Sequence, residues 1–451
     1  MIAKRPGILI THTVLIVAIL AAISATPATA AEKAIWGPTV LPDGRSAFPL
    51  YEELGVDTLQ LTISWDVTAP TRPSSPQDPA DPAYLWPAQI DAAMDEARRH
   101  GIAVALLVTQ APAWSNGGRS RIWAPMRPVD FADFLTAAAR RYSGVRRWMI
   151  WGEPNKGDRF RPNRAGHPDA PRAYAKLLDA AYVALKRESS LNKVIGGMTW
   201  TGGTVKPADF ARWMRLGNGR RPRLDWFGHN PFPFRFPDLS KRPVSGFRDI
   251  SDLDTLGREV NRALGRAGHR RVPLWLSEFT VQTDRASSGF ATFVTPAVQA
   301  RYLTAAFRIA DSLGTGVAGL GWHTLIDEAP APPTSANMGV MTYALARKPS
   351  FAALARAPSR RRRPSVSAPS RIARGALRTS GVTVVLTARA EGRISVELRH
   401  GARLLDRASV RATAGSPRTV RLHPSTTRAG RYRLIVRASR AETTRRNLRV
   451  R

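Results

Sequence analysis

Short apolar runs alternate with longer amphipathic stretches between residues 34 and 357. A run of four to eight apolar residues bounded by turn residues is typical of a buried strand, whereas apolar residues that recur every three or four positions indicate a helix. Eight runs predict strands: 34–36, 58–65, 102–108, 147–151, 194–200, 224–227, 274–277 and 317–322. Strands that alternate with helices in this way predict a parallel sheet with crossover helices.

The clearest helical patterns lie between these strands, and each is followed closely by a glycine that can end the helix. They cover residues 88–100, 129–142 and 295–313. Eight strands with seven or eight helices in about 320 residues predict a (β/α)8 barrel over residues 32–357. The alternative, an open doubly wound sheet, should carry a glycine-rich phosphate turn after its first strand, and Gly37-Pro38-Thr39 does not qualify.

The pattern changes after residue 357. Residues 358–370 are rich in Arg, Pro and Ser, which predicts an exposed linker. Short alternating runs follow at 382–386, 394–398, 419–422 and 432–436, with glycines between them. They predict a small antiparallel β-sandwich over residues 371–451, similar in size to an immunoglobulin domain but without its cysteine pair.

Two of the predicted barrel strands end on a glutamate. One stretch reads from Trp148 to Asn155 with Glu153 after the apolar run, and the other reads from Pro273 to Thr280 with Glu278 in the same position. Burying a lone charge is costly, so each Glu needs either an ion-pair partner or a chemical role. Two carboxylates that face each other across a cleft are what glycoside hydrolysis requires.

With these two motifs the chain resembles the clan A glycoside hydrolases, the retaining (β/α)8-barrel enzymes related to families 5 and 39. The resemblance covers roughly residues 34–357. It implies that Glu153, in Glu153-Pro154-Asn155 after strand four, is the acid/base. It implies that Glu278, at the end of strand seven, is the nucleophile.

The resemblance also implies substrate-binding residues at strand ends. His229 ends strand six, where the clan often has His or Tyr, and Trp322 matches the Trp that the clan uses as a sugar platform after strand eight. Trp36, Trp65 and Trp114, like Trp200, also fall at or near strand ends, and an aromatic ring can stack on the apolar face of a sugar.

Two positions depart from the clan. Gly152 replaces an Asn that contacts the sugar 2-hydroxyl, so this contact is either missing or supplied by another residue, with Asn155 and Asn230 as the candidates. Gln60 replaces a strand-two Arg that supports the nucleophile. An Arg would lower the pKa of a neighbouring carboxylate, whereas a Gln is expected only to hydrogen-bond to it.

Composition bears on location and partners. Residues 1–31 contain a basic start, an apolar run and Ala28-Thr29-Ala30, which together predict a secretory signal peptide cleaved near Ala30; a retained membrane anchor is the alternative. The net charge is +34, and residues 371–451 hold 20 Arg against 4 acidic residues. Export argues against a nucleic-acid partner and favours an anionic envelope polymer, although a solvated basic surface without a partner is equally open.

The predicted function is therefore that of a secreted or envelope-associated retaining glycosidase acting on an oligosaccharide or polysaccharide. Its two carboxyl groups should lie about 5 Å apart, with Glu278 ionised and Glu153 protonated. No metal-ligand spacing and no nucleotide loop is visible in the sequence, so we expect no metal and no cofactor. The alternatives are a non-catalytic carbohydrate-binding barrel and an envelope adhesin that acts through its basic domain.

Overall fold

The computed structural model describes residues 31–265, 271–283, 292–331, 335–360, 365–387, 392–412, 417–438 and 443–451. The predicted signal peptide lies outside these residues except for Ala31. Among the described residues, no helix combines the length and apolar character that a bilayer crossing requires.

The first part of the chain is a closed barrel of eight parallel strands, each paired with the next in chain order and the last paired with the first. This confirms the predicted (β/α)8 architecture, with every strand within a few residues of its predicted position. The strands are β1 Glu32–Trp36, β2 Thr58–Ser64, β3 Ala103–Thr109, β4 Arg147–Ile150, β5 Lys193–Trp200, β6 Trp226–Asn230, β7 Leu274–Phe279 and β8 Val317–His323.

Helices surround the barrel and bury their apolar faces against the outer side of the sheet. They are α1 Phe48–Leu54, α2 Trp65–Thr68, α3 Ala88–Arg99, α4 Ala113–Asn116, α5 Pro128–Arg141, α6 Asp169–Glu188, α7 Pro207–Trp213, α8 Leu253–Leu264, α9 Pro296–Ser312 and α10 Pro349–Arg356. Short 3-10 turns precede α8 and β8. The three helices predicted from periodicity correspond to α3, α5 and α9.

Strand alternation divides the barrel side chains into two sets. One set points outward into the layer between sheet and helices, as Ile35 and Leu59 do. The other fills the interior, as Ala34, Trp36 and Trp275 do. Because strand side chains alternate with a period of two, neighbouring residues of one strand point to opposite sides of the sheet. A side chain can therefore contribute to the barrel interior only from every second position.

The N-terminal end of the barrel is closed by a buried ion cluster. Glu32 is 1% exposed and forms ion pairs with Arg147 and Arg360, each at 2.6 Å, and accepts a hydrogen bond from Thr58. Ser359 donates a hydrogen bond to Asp57 nearby. The chain that follows α10 is therefore fixed to this end of the barrel, opposite the strand ends where catalytic groups stand in such folds.

The second domain consists of two sheets that enclose their own apolar core, which confirms the predicted sandwich. Its elements are β9 Ser365–Ser367, β10 Arg371–Ile372, α11 Arg374–Ser380, β11 Val382–Thr387, β12 Gly392–His400, β13 Arg403–Ala412, β14 Pro417–Leu422, β15 Gly430–Ala438 and β16 Thr443–Val450. One sheet has the order β10-β16-β15-β12-β13 and the other β14-β11-β9. All pairs are antiparallel except β10 with β16. Strand β9 lies inside the stretch that composition assigned to the linker.

Candidate active site

Glu153 and Glu278 both stand at the C-terminal end of the barrel. Glu153 follows β4 by three residues, and Glu278 is the next-to-last residue of β7. Asn230, the last residue of β6, connects them: its amide donates to Glu153 Oε1 at 3.1 Å, and its Oδ1 accepts from the Ser277 hydroxyl at 2.6 Å. Ser277 directly precedes Glu278, so one buried amide fixes both glutamates relative to each other.

An unusual backbone path presents Glu153 at the barrel mouth. Trp151 and Glu153 have φ angles of 62° and 50°, in the left-handed region that residues with a side chain seldom occupy. The Glu153 N–H donates to the carbonyl of Met198 on β5, and the Trp151 indole donates to the carbonyl of Arg159. These contacts offset a conformational cost of about 1–3 kcal/mol per residue, and such costs are typical of functional sites.

Hydrogen bonds connect Ser277, on β7, with residues of β1, β2 and β6, and we call this network the Ser277 hub. The Ser277 carbonyl accepts hydrogen bonds from the Trp36 indole at 2.9 Å and from the Gln60 amide at 2.8 Å, while the Ser277 hydroxyl binds Asn230. On β8, a methyl group at Gly321 would lie only 2.3 Å from the same carbonyl. Strand eight therefore needs a glycine at this position for the hub to form.

The hub corrects the role predicted for Gln60. We expected its side chain to hydrogen-bond to the Glu278 carboxylate. Instead it donates to the backbone one residue earlier, and its Oε1 accepts from the Trp275 indole at 3.0 Å. The interior side chain of β2 reaches straight across to the β7 backbone, so Gln60 positions the strand that carries Glu278 without touching its charge.

Glu278 itself is partly buried, and no described residue forms a hydrogen bond with its carboxyl group. Burial and the negative charge of Glu153 raise its pKa from the ordinary 4.5 to about 8, against a smaller opposing effect of Arg159 and Lys156. Burial and the second carboxylate therefore favour the protonated form of Glu278.

Glu153 has a cationic partner that the sequence analysis did not identify. The Lys156 ammonium lies 3.0 Å from Glu153 Oε2 and 5.2 Å from the centre of the Trp200 ring. The expected mechanism had Glu278 ionised, whereas its raised pKa favours the protonated form. The signal in the sequence was a lysine three residues after the glutamate, in a turn that brings the two side chains together.

Asn155 does not contribute the sugar contact considered for it. It is fully buried, and its side chain forms four hydrogen bonds: three donated to the carbonyls of Trp200, Gly202 and Val205, and one accepted from the Trp200 N–H. These bonds use its polar atoms to hold the β5–α7 loop. Of the two asparagines considered, Asn230 is the one that contacts a candidate catalytic carboxylate.

Packing does not enforce the glycine at position 152. A methyl group there would meet only Leu107, at 3.5 Å. The structure thus has room for a side chain beside Glu153, at the position where the clan A enzymes that the sequence resembles have an asparagine.

His229 is fully buried and does not reach the barrel mouth. Its Nδ1 pairs with the Thr199 hydroxyl at 2.8 Å, and its Nε2 donates to the Arg248 carbonyl at 2.7 Å. Burial lowers its pKa to about 4, so the ring stays neutral. It connects β5, β6 and the loop before α8.

The structure places Trp322 outside the barrel rather than at the mouth. Trp322 pairs in register with outward-facing Ile35, is fully buried against Phe279, and donates its indole hydrogen to the Met338 carbonyl. The next residue, His323, pairs with inward-facing Trp36, and their ring centres lie 6.5 Å apart. The sequence analysis selected Trp322 because it is aromatic and lies at the strand end. It did not show that His323, one residue later, is the side chain that faces the interior.

Two further tryptophans also belong to the outer layer. Trp65 directly follows β2, at a position whose side chain points out of the barrel. It is completely buried, and the centre of its ring lies 5.5 Å from that of Trp114. Trp114 donates to the Ala69 carbonyl and is covered by Arg72. Among Trp36, Trp65 and Trp114, Trp36 alone lies in the barrel interior next to the Ser277 hub.

An aromatic group that the sequence analysis did not assemble lies beside Glu153. Trp200, at the end of β5, is 6.4 Å from the ring of Phe234, which is 5.2 Å from the ring of Phe247. Phe234 is 45% exposed. Lys156 joins this group to Glu153, so a chain of rings leads from the carboxylate to the surface.

A separate groove of about 700 Å³ lies between α9, α10 and the loop after β6. Its lining includes Phe236, Leu239 and Arg308 and contains neither Glu153 nor Glu278. Its size alone does not make it the functional site.

No protein-family model matches the sequence, and no curated protein matches it. The structure is similar to a family 39 glycoside hydrolase from Bacteroides cellulosilyticus WH2, with a TM-score of 0.54 and 15% identity, covering 88% of this chain and 81% of that one. It is also similar to a glucosidase from Croceicoccus marinus, with a TM-score of 0.51 and 14% identity, covering 87% and 92%. At these identities the likeness establishes a shared fold, and the activity has to be argued from the site.

The raised pKa of Glu278 predicts a pH-dependent stability difference. The folded protein retains this proton up to about pH 8, whereas the unfolded chain releases it near the ordinary 4.5. The stability contributed by the protonated form is thus complete below about pH 4.5 and is lost as pH rises through about 8. We expect Glu278→Gln to gain stability over the parent across this window, by at most about 1.4 kcal/mol per pH unit.

Urea unfolding at a series of pH values measures this difference. Glu53→Gln, at a glutamate on the protein surface, controls for the loss of a carboxylate. A gap between parent and Glu278→Gln that stays constant from pH 4.5 to 8 would show that Glu278 is not held protonated.

Proposed function

We propose that this protein is a retaining glycoside hydrolase that cleaves O-glycosidic bonds of an oligosaccharide or polysaccharide by double displacement. The observation that carries the proposal is the link from Glu153 through Asn230 to Ser277 and Glu278. A pair of carboxyl groups held at one barrel end is the apparatus of this reaction. The barrel shared with glycosidases is consistent with it but does not by itself supply the chemistry.

In this mechanism the two glutamates share one proton. Glu278, once ionised, attacks the anomeric carbon and forms a covalent glycosyl-enzyme, while Glu153 gives its proton to the leaving oxygen. Glu153 then removes a proton from water, which attacks the anomeric carbon and releases Glu278. Asn230 holds one oxygen of Glu153 throughout, leaving the other to exchange the proton.

The proposal requires a proton to move from Glu278 to Glu153, because the raised pKa of Glu278 favours its protonated form and Glu153 is paired with Lys156. The same observation favours a second candidate, a carbohydrate-binding barrel without activity. A glutamate bound to a lysine and a protonated glutamate without hydrogen-bond donors could persist in a protein that only binds sugar. Activity measurements separate the two.

We further propose that the protein is exported and that its second domain binds an anionic polymer. Export rests on the signal-like residues 1–31. The polymer-binding proposal is supported by one face of the five-stranded sheet, which we call the arginine face. Its exposed arginines are Arg393, Arg407, Arg411, Arg431, Arg433, Arg437 and Arg449.

Strand register places these arginines side by side. Arg393 lies opposite Arg411, and Arg431 lies opposite Arg449. Glu397 is the single carboxylate among the described residues of this face, and Arg407, Arg399 and Arg437 surround it. Like charges in direct cross-strand positions destabilise a sheet, so an anionic ligand would relieve a repulsion that the fold tolerates.

The catalytic proposal predicts distinct rescue products for the two glutamates. With dinitrophenyl β-glycosides, Glu278→Ala should be inactive, and azide should restore turnover with an α-glycosyl azide as product. Glu153→Ala should still react in the first step, because a good leaving group needs no proton. It should give a β-glycosyl azide, and it should lose about 10²–10⁴-fold on substrates with poor leaving groups.

Chromatography of the products and steady-state kinetics provide the readout, with Glu53→Ala as a surface control. Exchanged azide products would reverse the assigned roles. A parent that binds oligosaccharides but hydrolyses no member of a broad glycoside panel would favour the binding protein.

The arginine face predicts salt-sensitive binding to a polymer such as polygalacturonate. In the full chain, Arg431→Gln with Arg433→Gln should weaken binding about three- to tenfold, since an exposed ion pair contributes up to about 1 kcal/mol. The matched control is Arg418→Gln with Arg421→Gln, which removes the same charge from exposed positions on the other sheet.

Binding measured by calorimetry should also decline steeply as salt shortens the range of the attraction. Equal effects of the two double variants, or binding that salt does not change, would contradict a role for this face.

A further inference from the structure

Lys156 occupies a position that the two-glutamate mechanism does not use. It lies in the turn after β4, where its backbone N–H donates to the Glu153 carbonyl, and its side chain is 23% exposed. The ammonium is 3.0 Å from Glu153 and 4.0 Å from Asp158, whose side chain is 68% exposed. Glu153 is therefore its close partner, and part of the Lys156 side chain remains exposed.

This ion pair opposes the chemistry assigned to Glu153. An adjacent cation favours the ionised form of a carboxylate, whereas a general acid must carry a proton when substrate is bound. Productive binding therefore requires something to draw the ammonium away from Glu153. An anionic group on the substrate has the charge to do so, and a neutral sugar does not.

We propose that Lys156 is the recognition site for a carboxylate or another anionic group on the substrate, so that the protein acts on acidic glycans. This inference rests on the proposed function and narrows its substrate class. Lys156 binds the anion beside Glu153, and Trp200 offers the sugar ring an apolar face next to the same ammonium.

The surrounding charges agree with this assignment. Arg159, in the same loop and 59% exposed, adds a second positive charge that acts on Glu278 together with that of Lys156. A long cation on a flexible stem can exchange one carboxylate for another within a few ångströms without rearranging the backbone. Asp158, 68% exposed and 4.0 Å from both cations, is the other carboxylate of this loop, and it lies farther from Lys156 than Glu153 does.

Exchange of partners also moves the proton in the required direction, with no net uptake. Before binding, Glu278 is protonated and Glu153 is paired with Lys156. When the substrate anion takes the ammonium, Glu153 loses its cation and accepts the proton that Glu278 releases. The pair still holds one proton, but Glu278 is now the ionised nucleophile and Glu153 the acid.

The test compares short oligosaccharides from uronic-acid polysaccharides with the same oligosaccharides after carboxyl reduction, which keeps the linkage and removes the charge. The parent should have a kcat/KM at least tenfold higher for the acidic member. Lys156→Met should lower that value about 10- to 100-fold, as expected for loss of a charged hydrogen bond. It should also raise kcat/KM for the reduced member, because no ammonium then pairs with Glu153.

Two variants serve as controls. Lys156→Arg keeps the charge and should retain the preference for acidic chains. Lys206→Met removes another lysine that lies over an aromatic ring, Phe247, at 4.3 Å, but that makes no ion pair with a described carboxylate. It should leave the preference intact. Because every variant keeps the arginine face, differences between them report on the barrel alone.

Calorimetric binding of the same oligosaccharides separates failure of this inference from failure of the proposed function. A parent that hydrolyses none of them, and no member of the broad glycoside panel either, overturns the proposed function, and its binding preference still decides whether Lys156 selects acidic chains. Equal affinity and equal kcat/KM for the acidic and reduced members, or a preference that Lys156→Met does not change, overturns the inference.

Discussion

The Ser277 hub is the interaction on which the candidate site depends. A buried carbonyl and hydroxyl without partners would each cost about 1–3 kcal/mol, and here both are satisfied by side chains from other strands. Trp36 and Gln60 fix the carbonyl, Asn230 fixes the hydroxyl, and Gly321 leaves the space that the carbonyl occupies. The position of Glu278 follows from this network.

The hub also explains the electrostatics of the site. Its donors bind the backbone before Glu278, and no described group donates to the carboxyl itself. The strand is therefore rigidly placed while its terminal carboxyl is left without hydrogen-bonded stabilisation of the charged form, which raises its pKa. Lys156 pairs with the other carboxylate, Glu153, which follows β4, three strands away in the barrel. In the proposed exchange, one proton and one ammonium are shared by two carboxylates, and the charge of the ligand selects which carboxylate is ionised.

Much of this architecture could be predicted from the sequence because it depends on periodicity. The eight barrel strands and the helices α3, α5 and α9 follow from the recurrence of apolar residues. The glutamates could be found because a charge at the end of an apolar strand is exceptional. In the second domain β13 and β16 were not predicted, since their alternating exposed arginines and polar residues lack an apolar run.

The predictions that were wrong, and the residues that were missed, depend on contacts in three dimensions, which a pattern along the sequence does not contain. Whether Trp322 or His323 faces the interior depends on register with β1, and a shift of one residue reverses the answer. Asn155 looked available for a sugar until its four loop contacts were visible. Lys156 and the Trp200 aromatic group depend on how a turn and two loops meet in space, which spacing along the chain does not specify.

The most direct test of the account is to trap the covalent intermediate. Incubation with activated 2-deoxy-2-fluoro glycosides, followed by proteolysis and mass spectrometry, identifies the residue that attacks the anomeric carbon. The account predicts a single labelled peptide, with the sugar attached to Glu278. A label on Glu153, or turnover of natural substrates with no covalent label from any fluoro-sugar of matching configuration, would contradict a retaining mechanism in which Glu278 is the nucleophile.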